Sequence, residues 1–463
     1  MTEHPAVTEL RRVLPTSAVV TDQDILASYA RDSAAVCESH LPLAAALPST
    51  ESEVQSILKL ANEFQIPVVP QGALTGLSGA ANAVPQCIVL NTRKMNRVIE
   101  IDAANRIAVV QPGVTNRELR LAAEEFGLTY RPDPSSWESS TIGGNIATNA
   151  GGLCCVKYGV TQRFVRGLRV VLPDGRATFL GRKTVKGVAG LNLTELFVGS
   201  EGTLGVITEA TVALDPVTAK PLTMAASFLD AASAGRAVTA VRAAGITPSL
   251  FELMDRTVLR AIEKFARMGI DDSAGALLLA QSDAGSTAAE ELSQIAQLCE
   301  SVGGFDVVVA DDQQEADQLI AARRLSYPAL EALGSPIVDD VCVPISRLAD
   351  MIDYVESVAK ELSLVIGVVG HAGDGNLHPT VIVDNPDDMD LAHSAIDRIA
   401  ERALALGGTV TGEHGIGLLK VGLLEKELDP VAAQLQRDIK RLLDPNGVMN
   451  PGKVMRSETV VTA

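Results

Sequence analysis

Three of the six histidines stand in two segments whose composition suggests chemistry. The first reads Gly370-His371-Ala-Gly-Asp-Gly-Asn-Leu-His378-Pro, the second Gly407-Gly-Thr-Val-Thr-Gly-Glu413-His414-Gly-Ile-Gly. On one straight strand, His371 and His378 would face opposite sides, because their spacing is odd. Asp374-Gly375-Asn376 is a strong turn signal, however, and a hairpin closed there brings both imidazoles to one end. Glu413, from a second loop, would complete a set of two histidines and one carboxylate. Such mixed ligation suits Zn²⁺, Mn²⁺ or Fe²⁺ with positions left open to substrate. Two turn histidines bonded to backbone would have the same spacing. His414 has the side chain of a general base, since an imidazole titrates near neutral pH; a structural histidine is the alternative. Arg323 and Arg324 fall on a predicted helix, and a guanidinium grips a carboxylate through two parallel hydrogen bonds. Asp340 and Lys420 read as structural, and His393 as one residue of an amphipathic helix.

Three glycine-rich segments precede this cluster. In Gln71-Gly-Ala-Leu-Thr-Gly-Leu-Ser-Gly79, the glycines Gly72, Gly76 and Gly79 allow close backbone approach. Successive amides of such a loop form an anion nest. The loop fits neither the dinucleotide fingerprint nor the P-loop, and a turn without ligand is the competing reading. Residues 132–152 are rich in Ser, Thr, Asn and Gly yet carry Ile142, Ile146 and Ala150 at four-residue spacing. They suit a long, narrow ligand laid along a small-residue backbone. In Gly199-Ser-Glu-Gly-Thr-Leu-Gly-Val-Ile207, Glu201 either bonds a ribose or adenine edge or caps a turn. Trp137 is read first as packing.

The elements that must carry these groups alternate between periods. Val54, Ile57, Leu58, Leu60 and Ala61 predict a helix from Glu51, with Ser49-Thr50 as caps. Strands are predicted at Ile66–Pro70, Cys87–Leu90, Arg106–Val110, Leu168–Leu172, Val206–Ile207 and Ala210–Leu214, and a helix at Glu118–Phe126. Asp215-Pro216 marks a boundary. Beyond it come helices at Ala231–Ala244, Thr287–Val302, about 313–332 and Leu348–Leu362, and strands at Gly275–Ala280, Val307–Ala310 and Leu364–Val369. That mixture predicts an α+β sheet with helices on one side, followed by a helical tail.

The chain has 463 residues, 57 acidic against 39 basic, for a net charge of −18. So acidic a surface repels phosphate backbones and anionic lipid, and the 3% aromatic content disfavours base stacking. No nucleic-acid partner is expected. The six cysteines lack CxxC spacing and read as reduced, mostly buried thiols. Neither a secretory signal nor a transmembrane span is predicted. The expected location is cytoplasmic, with peripheral association at the inner face of a membrane left open. A homodimer is compatible with the sequence.

In their order and spacing, the glycine segments and the histidine cluster resemble the FAD-linked oxidoreductases of the vanillyl-alcohol-oxidase and p-cresol methylhydroxylase (PCMH) type. The subgroup most like this chain comprises D-lactate dehydrogenases, glycolate oxidase FAD subunits and D-2-hydroxyglutarate dehydrogenases. The similarity runs from about residue 40 to Lys453. It implies an α+β fold: a two-part PCMH-type FAD-binding domain (41–216), a cap with an antiparallel sheet covered by helices (217–418), an N-terminal helical extension (1–40) and a C-terminal helical segment returning to the FAD domain (419–463).

The resemblance further implies that the amides of Gly72, Ala73, Thr75, Gly76, Leu77, Ser78 and Gly79 hold the pyrophosphate. Pro134, Ser135, Thr141, Gly143, Gly144, Asn145, Thr148, Asn149, Gly151 and Gly152 would surround the isoalloxazine and ribityl portion. Glu201, Gly202 and Ile207 would lie at the adenosine end, and Asn450 would return to the flavin domain. FAD is expected to be non-covalent, because the first glycine loop offers no His or Cys. Gln71 stands where the family usually has Arg, and Leu74 where it has Gly or Arg. Relatives with this histidine pattern bind a divalent metal, here Zn²⁺ or Mn²⁺ on His371, His378 and Glu413. Arg323 takes the substrate-carboxylate position and His414 that of the base. The implied reaction oxidises a D-2-hydroxy acid, D-lactate or glycolate first and D-2-hydroxyglutarate as the alternative, to the 2-oxo acid, with hydride passing to the flavin. A quinone, cytochrome or electron-transfer flavoprotein is the expected acceptor. A metal-dependent hydrolase would leave the glycine segments unexplained, and a non-catalytic flavin binder would leave His414 beside Glu413 unexplained.

Overall fold

The computed structural model describes residues 4–34 and 36–456. Residues 1–3, 35 and 457–463, parts of the expected terminal segments and of the N-terminus read for a signal, lie outside the described residues. The chain divides into two compact units. One comprises residues 1–151, 160–217 and 413–463; the other comprises 152–159 and 218–412. Among the described residues no helix is long and apolar enough to cross a membrane.

The first unit holds a four-stranded and a five-stranded sheet. In the former, Ala44–Ala46, Ile88–Asn91 and Val68–Gln71 run parallel. Parallel strands need a crossover, which here is the helix Glu51–Phe64. Thr50 begins it with a capping box: its hydroxyl accepts the Glu53 amide, and the Glu53 carboxylate accepts the amide of Thr50. Its predicted apolar stripe, Val54, Ile57, Leu58, Leu60 and Ala61, is buried against Ala44, Val68, Ile88 and Leu90. The chain's last segment joins the same core through Val448 and Met449. The second sheet is antiparallel in the order Val98–Asp102, Ile107–Val110, Val206–Ala213, Val165–Val171, Ala177–Gly181. Val206–Ala213 is one strand where two were predicted, because register shifts absorb the break at Thr208.

The second unit is built on an antiparallel sheet in the order Phe305–Val309, Leu222–Phe228, Ala276–Ser282, Leu250–Asp255, Val365–His371, Asn376–Val383, Ser335–Val338. Helices Arg256–Ala266 and Gln313–Glu331 cover one face, with Val258, Ile262, Ala322 and Leu330 against Met254, Leu279 and Val369. Every residue of Leu250–Asp255 and of Asn376–Val383 is buried, so both faces are covered where cover on one side was expected. Of the six free cysteines only Cys87 and Cys299 are fully buried, fewer than expected.

Asp255 ends a central strand and caps the helix Arg256–Ala266, its Oδ1 accepting the Val258 amide at 2.9 Å. Burial pushes its carboxyl up to about 7. A folded-state value above the unfolded one makes the folded form the better proton binder. The associated stability is therefore present below about pH 4 and lost as pH rises through about 7. Asp255→Asn keeps the acceptor and cannot ionise. The difference in melting temperature between variant and wild type should shift in favour of the variant from pH 4 to pH 8, and a pH-independent difference would contradict this assignment.

The hairpin predicted from Asp374-Gly375-Asn376 joins Val365–His371 to Asn376–Val383. Gly375 has φ 85°, and a Cβ there would lie 2.0 Å from the Val343 carbonyl oxygen. Gly375→Ala should cost on the order of 2–4 kcal/mol, left-handed strain plus a backbone clash, measurable in urea unfolding.

Candidate active site

In the first unit a cleft opens beyond the strand Val68–Gln71. Its walls are the loop 70–81, the segments 134–136, 140–151 and 200–207, and Glu413 with His414. The loop's shape is set from outside. Gln71 Nε2 donates to the carbonyls of Tyr29 and Ala81 at 2.8 and 2.7 Å, and Asn91 Nδ2 donates to the Gly72 carbonyl at 3.0 Å. Leu74 sits at φ 63°, a strained position for a branched side chain. None of the amides of Ala73–Ser78 donates to a described residue. Six consecutive unsatisfied donors beside a cleft form an anion nest.

The polar stretch after Pro132 contains a helix, Ile142–Thr148, capped by the Thr141 hydroxyl on the Gly144 amide. Of the four-residue spacing noted in the sequence, Ile142 and Ile146 form the helix's buried edge, whereas Ala150 lies beyond the helix and lines the cleft. Gly143 and Gly144 bring the backbone close to its neighbours; a Cβ at Gly143 would lie 2.5 Å from Pro112. Of the residues expected around a flavin, Gly72, Ala73, Thr75, Gly76, Leu77, Ser78, Pro134, Ser135, Thr141, Gly143, Gly144, Asn145, Thr148, Gly151, Glu201, Gly202 and Ile207 line the cleft. Four do not. Gly79 lies against Cys37, Asn149 closes the helix in a left-handed conformation, Gly152 belongs to the second unit, and Asn450 Nδ2 bonds the carbonyls of Ala80 and Glu201. Trp137 packs beneath the guanidinium of Arg120, as its packing role predicts.

Glu201 is buried at φ 48°. Its two oxygens accept the amides of Ile416 and Gly417 at 2.7 and 2.8 Å. The carboxylate thus clamps the backbone just past His414, more than a turn cap and at a separation no local pattern reveals. Burial pushes it up to about 7. Lys453 lies beside this network with Nζ on the carbonyls of Ala80 and Asn82 at 3.1 and 2.7 Å, and burial lowers it to about 8.

In the second unit the register pairs Val369 with His378. Val369 and His371 share a face by the period of two, so the two imidazoles do as well. Their ring centroids are 5.1 Å apart at 82°. Glu252, opposite His371 on the adjacent strand, is fully buried and accepts from His371 Nδ1 at 2.6 Å and Arg323 Nε at 2.7 Å. Asp340 accepts from Asn376 Nδ2 at 2.6 Å, Thr411 Oγ1 at 2.7 Å and the Gly412 amide at 2.9 Å, and lies 3.7 Å from His378 Nδ1. Arg324 points to solvent, as does His393. Glu252 was not singled out in the sequence. A lone acid inside Ser-Leu-Phe-Glu-Leu-Met is the signal that could have found it.

This fold and cleft are those of a flavoprotein, and the chain belongs to the FAD-linked oxidase family. Residues 42–181 match its FAD binding domain and residues 219–454 the C-terminal domain of FAD linked oxidases. The chain is 40% identical to a glycolate oxidase subunit of Bacillus subtilis, over 90% of each chain. It is 39% identical to a D-lactate dehydrogenase of Archaeoglobus fulgidus, over 88% of this chain and 90% of that one. The fold matches p-cresol methylhydroxylase with a TM-score of 0.80 at 19% identity, covering 98% and 96% of the two chains.

The cleft fits FAD on its own chemistry. The amides of Ala73–Ser78 suit a pyrophosphate, and three buried polar atoms on the cleft's lining residues have no partner among the described residues: Gln71 Oε1, Ser140 Oγ and Asn145 Nδ2. For a metal, the observation is the donor set. Glu252 engages His371 Nδ1, so Nε2 is the ring nitrogen turned away from Glu252, and a second imidazole, His378, stands beside the ring.

Proposed function

We propose that the protein oxidises a D-2-hydroxy acid to the 2-oxo acid, with D-lactate or glycolate the first candidates and D-2-hydroxyglutarate the alternative. One observation carries this reading: beside the glycine-rich segments, the lining of the FAD cleft includes an imidazole, His414, on a backbone clamped by Glu201. The relatives named glycolate oxidase subunit and D-lactate dehydrogenase support the substrate class. FAD, when bound, supplies an acceptor for two electrons. The residues that would hold it are the cleft-lining set from Gly72 to Ile207, without covalent attachment.

In this reading Arg323 binds the substrate carboxylate, which gives D-2-hydroxy acids their affinity in an acidic protein. His414 accepts the hydroxyl proton. His371 and His378, with Glu413 as third ligand, would hold Zn²⁺ or Mn²⁺, which lowers the pKa of the substrate hydroxyl. The electron acceptor would be a quinone, cytochrome or electron-transfer flavoprotein. Anaerobic titration of the yellow protein with D-lactate, glycolate and D-2-hydroxyglutarate tests the reading. One of the three should bleach the flavin within turnover times, and the absence of bleaching by all three would contradict it. Chelation followed by metal-free buffer should slow bleaching at least about 100-fold and Zn²⁺ or Mn²⁺ should restore it; an unchanged rate would remove the metal from the account.

A further inference from the structure

Glu252 is a carboxylate with no solvent exposure, set between Leu250 and Met254 on the face covered by the helix Gln313–Glu331. Such a group persists in a core only if its oxygens are engaged. Both are, and by two different elements: Oε1 by His371 on the neighbouring strand and Oε2 by Arg323 on the helix. Register fixes the first contact, since Glu252 and His371 are directly opposed partners. Packing fixes the second, since Ala322 is buried in the cluster that holds Met254 and Ser326 Oγ lies 3.4 Å from Met254 Sδ.

We infer that Glu252 is the positioning residue of this site, a single rigid acceptor that sets the orientation of Arg323 and of His371 together. The consequences follow from the donor inventory. A carboxylate only accepts, so His371 holds a proton on Nδ1 toward Glu252, and the bond turns its Nε2 edge away from Glu252. Arg323 spends Nε on Glu252, so its terminal nitrogens are what remain for a substrate carboxylate, and the end-on fork is the mode of recognition. Because one carboxylate serves both, a disturbance at Glu252 misplaces the carboxylate grip and the imidazole at the same time. This inference rests on the proposed roles of Arg323 and His371 in 2-hydroxy acid oxidation.

Glu252→Gln tests it at constant volume. The amide has one acceptor oxygen and turns an N–H group toward one of the two donors. The variant should keep its FAD content, lose about 10- to 100-fold in kcat, and show a KM raised about 10- to 100-fold for the acid that bleaches the wild type. Glu252→Asp, with both acceptors retained, should recover part of the loss. Combining Glu252→Gln with Arg323→Leu should cost less than the product of the single effects. A folded Glu252→Gln protein with wild-type kcat and KM, or strictly multiplicative effects, would overturn the inference. If Glu252→Gln does not fold, the same cycle is run with Glu252→Asp and read by the same criterion. A second readout needs no turnover. In ¹⁵N-histidine-labelled protein, one Nδ1-bound proton should be protected from exchange and vanish in both Glu252→Gln and His371→Gln. Persistence of that signal in folded Glu252→Gln, or His371 protonated at Nε2 alone, would overturn the assignment. A wild type that shows the signal but is reduced by no 2-hydroxy acid would instead retire the proposed function and leave the positioning of His371 standing.

Discussion

Replacing His414 with Gln should slow anaerobic flavin reduction by the substrate acid about 10²- to 10⁴-fold while FAD remains bound. The expectation rests on where the imidazole sits. His414 lines the same cleft as the glycine loop, and its side chain is 16% exposed. The backbone after it is held independently of the side chain. Glu201 takes the Ile416 and Gly417 amides, and the Ser78 carbonyl takes the Leu418 amide at 2.9 Å. Removing the ring therefore deletes a proton acceptor without releasing the loop. Gln preserves much of the volume and some hydrogen bonding but cannot accept a proton at neutral pH. Single-turnover reduction followed by stopped flow separates this step from reoxidation. A His414→Gln protein reduced at the wild-type rate would move the base elsewhere.

Gly72→Val should abolish FAD retention, taking bound flavin from about one per chain to less than a tenth. Gly72 follows directly on the strand Val68–Gln71, and a Cβ there would lie 2.4 Å from Thr141 Oγ1. That hydroxyl caps the helix Ile142–Thr148, so the two loops that line the cleft meet at this point. A valine must push them apart, and the branch at Cβ leaves it few rotamers with which to avoid the contact. The parallel sheet behind should survive, because Gly72 lies outside its buried cluster. The check is flavin absorbance per protein together with circular dichroism. A folded, fully yellow Gly72→Val protein would show that the glycine loop is not the cofactor's seat.

Much of the scaffold is locally encoded and so readable in the sequence. The helix Glu51–Phe64 announces its start through Thr50 and Glu53 and its buried face through a period of 3.6. The hairpin from Val365 to Val383 announces its turn through Asp-Gly-Asn, and from that turn the common face of His371 and His378 follows. Strands buried on both faces were harder. Leu222–Phe228, exposed only at Leu222, and Leu250–Asp255, buried throughout, show no alternation because both faces are covered, and the sequence predicted neither. Glu252 was lost with the second of them. The helix Ile142–Thr148 was hidden by Gly143-Gly144, poor helix formers kept where the backbone approaches Pro112. The Glu201 clamp joins residues more than 200 positions apart, and only the fold brings them together.

The central claim is that the amino-terminal cleft binds FAD and that a 2-hydroxy acid delivers electrons to it. Visible absorption of the purified protein, recorded anaerobically before and after addition of D-lactate, glycolate or D-2-hydroxyglutarate, tests both halves in one cuvette. The account predicts the spectrum of oxidised flavin, one per chain after reconstitution, and its loss on mixing with one of the three acids. A folded protein that stays colourless after incubation with FAD, or a yellow one that none of the acids bleaches, would contradict it.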